Sequence, residues 1–214
     1  MDKSVAVLGL GRFGKSLAES LYKAGADVLA VDCNEELVQG FAGNCTSAVR
    51  ADLANEEEVA ALGLKNMDIV VVAVSQDLAA SVISITVAKE QGVPLIVAKT
   101  ASERMSIILR KVGADQIIDP EGEGGTRWAP ILLSAAFKDF YELDENMYMV
   151  EMVPKDEWIG KTLVELDLRS KMNLNVVAER VNGGLWHFVS PEEPITPQTI
   201  LLIVMEKKNI GKLW

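Results

Sequence analysis

Six residues near the start of the chain carry the clearest chemistry. Gly9-Leu10-Gly11-Arg12-Phe13-Gly14 follows a short β-branched run, Val5–Leu8, and opens an amphipathic stretch. The first glycine permits a tight turn, the second lets the backbone approach a pyrophosphate, and the third lets the following helix pack close to the sheet. The helix start then directs its N–H groups at the anion. Asp32 ends the second strand-like run, 18 residues beyond Gly14, where a carboxylate grips ribose hydroxyls. An acid there repels a 2′-phosphate and so disfavours NADP, but NAD, ATP and ADP all present an unmodified adenosine ribose and stay equivalent. Arg12, inside the turn, is either a solvated surface arginine or a guanidinium fork for phosphate oxygens.

Other groups near this turn have two readings each. Asn34 and Glu35 follow Asp32 and either touch the ribose or cap the next helix. Cys33 adjoins the same aspartate and reads as a half-buried inert thiol ahead of a ribose neighbour. Ala73, Val74 and Ser75 close an apolar run at the edge where such ligands sit, and offer backbone contacts, while Asp77 reads as a helix cap. Cys33 and Cys45 are the only cysteines, too few for a disulfide framework and wrongly spaced for zinc. The one histidine, His187, sits between Trp186 and Phe188 and reads as packed or surface-lying. That single count weakens readings that need a histidine base, a His-rich metal site or a Ser–His–Asp triad. No catalytic residue is assigned.

These residues need a scaffold, and the chain supplies one. Residues 1–120 alternate strand candidates (Val5–Leu8, Val28–Val31, Ala48–Arg50, Ile69–Val74, Leu95–Ala98, Gln116–Ile118) with helix candidates near Lys15–Ala24, Glu35–Phe41, Glu56–Leu62, Leu78–Gln91 and Ser102–Val112. Strands alternating with long helices imply βαβ units and a parallel sheet. Asn55 with Glu58 reads as a reciprocal helix cap, and Gly25, Gly63, Gly92 and Gly113 sit where helices should stop. After Pro120 the pattern changes. Glu121–Gly125 reads as a flexible turn, Trp128–Phe137 as an apolar helix, and Asp139–Asn146 as an acidic connector. A small α+β unit follows: strand Tyr148–Val153, helix Leu163–Lys171, strand Asn175–Val181, a turn at Asn182-Gly183-Gly184, strand Leu185–Val189 and strand Thr199–Met205. The expected fold is α/β, a Rossmann-type parallel sheet over residues 1–138 followed by a small α+β domain over residues 139–214.

Composition narrows the function. With 21 Lys and Arg against 31 Asp and Glu, the net charge is −10, and the excess acid is shared evenly between the two parts. No basic stripe awaits nucleic acid or an anionic lipid surface. Apolar runs reach only six residues, where a membrane span needs about twenty, and because Met1-Asp2-Lys3-Ser4 leads straight into a strand-like run, no signal peptide is expected. The expected location is cytoplasmic.

Val5-Ala-Val-Leu-Gly-Leu-Gly-Arg-Phe-Gly14, Val31-Asp32 and Gly113-Ala-Asp-Gln-Ile-Ile-Asp-Pro-Glu121 together resemble the regulator-of-potassium-conductance (RCK) family, in the branch of KtrA- and TrkA-like cytosolic subunits of bacterial potassium uptake systems. The resemblance covers essentially the whole chain, an RCK-N domain followed by an RCK-C (TrkA-C) domain. It implies a regulatory subunit that binds ATP/ADP, or secondarily NAD/NADH, and gates a KtrB- or TrkH-like membrane potassium-translocating subunit from the inner membrane face. It implies homodimers assembled into a ring, with the Trp128–Phe137 element packed on the partner copy. It places Arg12 at the terminal phosphate of ATP, the turn of Ala51 and Asp52 at the adenine, Lys99 near the phosphates, and Glu121 at a Mg²⁺, Ca²⁺ or Na⁺ ion beside paired nucleotides. Helix capping by Asp52, a surface Lys99 and an exposed loop Glu121 are the plain alternatives. The C-terminal domain binds cyclic di-AMP in some relatives, and Arg169, Asn175 and Pro191 fall near the corresponding places. The competing function is an NAD-dependent oxidoreductase, for which the second domain lacks evident acid–base groups.

Overall fold

The computed structural model describes residues 3–74 and 76–213. Packing divides the chain into two compact units, Met1–Glu121 and Gly122–Trp214.

In the first unit six strands form one parallel sheet in the order β3-β2-β1-β4-β5-β6: β1 (Ser4–Leu8), β2 (Asp27–Asp32), β3 (Ser47–Arg50), β4 (Ile69–Val72), β5 (Leu95–Lys99) and β6 (Gln116–Ile118). The crossovers are α1 (Arg12–Lys23), α2 (Glu35–Phe41), α3 (Glu56–Ala60), α4 (Leu78–Glu90) and α5 (Glu103–Val112). Alternation along the strands builds a core on each face. Val5, Val7, Val28 and Ala30 pack with Ala18 of α1 and with Val38 and Phe41 of α2. Ala6, Leu8, Val31, Val70 and Ile96 pack with Val59 of α3, Ile85 and Ala88 of α4 and Leu109 of α5. Helices α1 and α2 therefore cover one face over β1–β3, while α3–α5 cover the other. On the first face, beside α1, a concavity of about 320 Å³ is lined by apolar side chains only, among them Phe13, Leu17, Ile69, Val71, Val97 and Ile118.

Local chemistry sets the boundaries. Gly25, Gly63, Gly92 and Gly113 all have positive φ, from 71° to 132°, the conformation expected after a helix. Asn55 caps α3 through Glu57 and Glu58 N–H. The reciprocal half of that cap is not formed: Glu58 Oε2 accepts from Asp52 N–H instead, and Asn55 N–H donates to the Asp52 carbonyl.

The second unit is an antiparallel sheet, β10-β9-β11-β8-β7, formed by β7 (Phe137–Glu142), β8 (Met147–Met152), β9 (Leu174–Val181), β10 (His187–Phe188) and β11 (Thr199–Glu206). Strict alternation in β8 and β11 sends Tyr148, Val150, Met152, Leu201, Ile203 and Met205 into one core with Trp158 and Leu168. The turn residues Asn182 and Gly183 both have positive φ, 53° and 70°, as a tight hairpin requires.

Three expectations fail here. The glycine-rich Glu121–Gly125 segment is no turn: α6 runs Pro120–Leu133. Proline at the first helical position presets φ, and acids in the first turn suit the helix dipole, which offsets the glycines. The expected helix end at Phe137 and connector from Asp139 are instead strand β7. The single helix Leu163–Lys171 is two, α7 (Leu163–Leu166) and α8 (Leu168–Met172), broken at Asp167 with φ 46°. Residues of α6 from Gly122 on group with the second unit, and Ile131 packs on its core.

Candidate functional site

The site lies at the carboxyl edge of the parallel sheet, where the strand order reverses between β1 and β4. Ligands of doubly wound folds bind in that crevice. The three glycines meet three different demands. Gly9 has φ 105°, and a Cβ there would come within 2.9 Å of Val74 Cγ2. Gly14 touches the turn: a Cβ would lie 1.9 Å from the Gly9 carbonyl oxygen. Around Gly11 nothing lies within 4 Å, so the space above the N-terminus of α1 stays open. No side chain caps this helix and its first turn holds no acid. Its leading N–H groups thus lack intrahelical partners and face outward as an anion cradle.

Asp32 is joined to that cradle. Its Oδ2 accepts from Leu10 N–H at 2.7 Å and its Oδ1 from Asn34 N–H at 2.9 Å, which fixes the carboxylate beside the glycine turn. Arg12 starts α1, is exposed, and makes no hydrogen bond or ion pair among the described residues. An unpaired guanidinium next to an uncapped helix start is suited to phosphate. Phe13 points elsewhere. Its ring lines the apolar concavity, so any contact it makes with a ligand in the cradle runs through its backbone.

The remaining expected residues divide. Asn34 is a cap: its Oδ1 accepts from Glu36 and Leu37 N–H at the start of α2. Cys33 is exposed rather than half-buried, and its carbonyl accepts from Arg50 Nε. Local burial first, and then the adjacent Asp32 charge, push its thiol above the ordinary range, which weakens it as a nucleophile. Asp52 does not cap a helix; its Oδ1 accepts from Ala54 N–H within the β3–α3 turn. Ala51 is buried and donates to the Asp32 carbonyl. Ala73 donates to the Leu8 carbonyl, and the Val74 carbonyl accepts from Ser81. Ser75 lies outside the described residues. Asp77 caps α4 through Ala80 N–H.

Lys99 and Glu121 find each other. Lys99 Nζ donates to Glu121 Oε1 at 2.8 Å, and this bond holds the Glu121 carboxyl below its usual range. Nothing in sequence spacing indicates this pairing. It follows from β5 pairing with β6, where Lys99 lies opposite Ile118, with α6 starting at Pro120. Among the described residues, no cluster of three His, Cys, Asp or Glu side chains comes together as a metal site. In the second unit, Arg169, Asn175 and Pro191 do converge. They line one concavity of about 250 Å³ with Leu163, Val164, Asp167, Val176 and Val189.

Comparison with known proteins agrees with this geometry. Residues 5–120 match the TrkA-N domain family. The chain is 36% identical over 214 residues to Ktr system potassium uptake protein C of Bacillus subtilis (strain 168), covering 99% of this chain and 96% of the relative. It is 34% identical over 211 residues to Ktr system potassium uptake protein A of the same organism, covering 99% and 95%. The structure of the GsuK channel bound to NAD superposes on the whole chain with a TM-score of 0.68 at 16% identity, and the chain spans 39% of that larger protein. No helix among the described residues is long and apolar enough to cross a membrane. A parallel sheet that opens its glycine turn toward Asp32, carried by a chain this similar to the Ktr proteins from end to end, belongs to the TrkA-N family of potassium uptake proteins.

Proposed function

We propose that the chain is a nucleotide-sensing regulatory subunit of a potassium uptake system. The first unit binds ATP or ADP at the Gly9–Gly14 turn, and a cytoplasmic homodimer, assembled into a ring, conveys the bound state to a membrane potassium-translocating partner. The observation that carries this reading is the uncapped start of α1, open above Gly11, with the unpaired Arg12 on it and Asp32 beside it. Full-length similarity to two Ktr potassium uptake proteins supplies the transport context. NAD or NADH fits the same ribose and pyrophosphate contacts and ranks second, because it has no terminal phosphate for Arg12. An oxidoreductase reading would need an acid–base group at the nicotinamide, and none of the residues placed at the cradle supplies one.

Arg12 decides between the nucleotides. ATP and ADP differ by one phosphate, and only a group touching it discriminates them. Arg12→Ala should weaken ATP binding about ten- to a hundredfold, the worth of one charge-assisted hydrogen bond, and ADP binding much less. Parallel calorimetric titrations test this; equal losses would assign Arg12 to the shared phosphates and favour NAD.

Two further parts of the reading have specific support. Leu132 and Leu133 of α6 are 79% and 76% exposed and Trp128 is 58% exposed, apolar surface that a second copy would cover. The convergence of Arg169, Asn175 and Pro191 around one concavity favours cyclic di-AMP in the second unit. Arg169→Ala should abolish that binding and leave ATP binding intact.

A further inference from the structure

The outward face of the antiparallel sheet breaks the usual pattern. An antiparallel sheet with one solvated face carries polar side chains there. Here the residues that alternate away from the core of Trp158 and Leu168 include Ile200, Leu202 and Val204 on the central strand β11 and Met149 on β8, all partly exposed. Strand β11 is therefore apolar on both sides, the composition of a strand covered on both. Register carries the stripe on to the sheet edge. Leu202 lies opposite Ala178, and Ala178 lies opposite Phe188, which is 89% exposed.

Charge on this face is compensated within the chain. Asp139, Glu151 and Glu206 alternate onto it, and each holds a basic partner: Arg127, Arg180 and Lys208. Trp186 stacks 4.7 Å from the Arg180 guanidinium and fixes that side of the face. The face thus offers no free charge to a charged partner. Another copy of this chain, although it carries the same net charge of −10, meets no unpaired like charge there and brings the same apolar stripe. Area agrees. Five strands about 4.8 Å apart, with β11 eight residues long, present roughly 600 Å². Two copies face to face would bury roughly 1,200 Å², the lower end of a specific interface. We propose that two copies of the second unit pack these faces together, sheet on sheet about a two-fold axis, as a self-contact separate from α6. A contact of that size is weak alone. Between copies already tied through α6 it becomes intramolecular, at an effective concentration on the order of millimolar. This inference rests on the α6-mediated dimer given above and is independent of any nucleotide.

Sedimentation equilibrium and cross-linking test it on the full chain. Phe188 is too exposed for its replacement to unsettle the fold, so Phe188→Asp should raise the dimer dissociation constant about tenfold or more through the interface alone. Leu143, 52% exposed in the turn between β7 and β8, is the control. Leu143→Asp should change that constant by less than about twofold, as a surface substitution away from an interface does. Cross-linking uses a Cys33→Ser background, in which the remaining native cysteine, Cys45, is buried. Leu202→Cys there should be joined to its copy by a bis-maleimide spanning about 10 Å, the spacing of stacked sheets, and adding Phe188→Asp should suppress the product. An unchanged constant in Phe188→Asp overturns the pairing and leaves the face to an unlike partner; absence of the Leu202→Cys product overturns it as well. In either case the α6 dimer still stands if Leu132→Asp dissociates it. A wild-type chain that is monomeric overturns both.

Discussion

Asp32 places both carboxylate oxygens on backbone N–H groups, at Leu10 and at Asn34, so the acid proposed to bind ribose also shapes the glycine turn. Asp32→Ala should weaken adenine-nucleotide binding at least tenfold, about 1.5 kcal/mol or more, with the far-UV spectrum retained; calorimetry and circular dichroism check the two halves. Gly14 is stricter. A Cβ 1.9 Å from the Gly9 carbonyl cannot be absorbed by rotamer change, so Gly14→Ala should cost about 3 kcal/mol and lower the melting temperature clearly. Both residues are legible in the sequence because glycine spacing and a strand-ending acid report one local backbone shape. The Lys99–Glu121 pair is not legible. Its partners are 22 residues apart and meet only when β6 lies beside β5. Asn34 stays ambiguous in sequence for a different reason, since the same carboxamide serves a ribose or a helix start; the structure turns it to Glu36 and Leu37.

At the scale of elements, β1 to β6 and their crossovers are legible because their apolar runs and helix stops agree with one another. The region after Pro120 is not, for physical reasons. Glycines in α6 hide a helix that Pro120 and the acids of its first turn start. The period of two in β7 is broken by an irregularity between Phe137 and Asp139, so Phe137 looks like the end of a helix and Asp139 like the start of a loop. That irregularity serves a clamp. Arg127 Nε donates to Asp139 Oδ1 at 2.7 Å, its Nη2 donates to Oδ2, and Tyr141 Oη donates to Oδ2 at 2.6 Å. The Arg127 guanidinium stacks 4.6 Å from the Tyr141 ring centre. The Arg127 hydrogen bonds hold the Asp139 carboxyl at about 2, below the unfolded value of about 3.9. A lowered folded value stabilises above the unfolded one and is lost as pH falls through the folded one. Asp139→Asn should thus destabilise the chain by about 1–2 kcal/mol at pH 7, and the gap to wild type should close between pH 4 and pH 2 in thermal melts.

The whole molecule carries apolar surface that one copy leaves uncovered, on α6 and on the sheet face beside α1. Leu132→Asp should yield a folded monomer by light scattering, because Leu132 is exposed. Ile131→Asp should lower stability as well, because Ile131 packs on the core of the second unit. The concavity bounded by Phe13, Leu17, Val71, Val97 and Ile118 has a thermodynamic corollary. Its lining side chains are all apolar, so whatever fills it withdraws hydrocarbon from water and forms few new hydrogen bonds there. Association that uses it should have a negative heat-capacity change, and its driving force should fade on cooling. An assembly sealed in this way is cold-labile: diluted protein should dissociate further at 4 °C than at 25 °C, the reverse of what an interface built on ion pairs and hydrogen bonds would do.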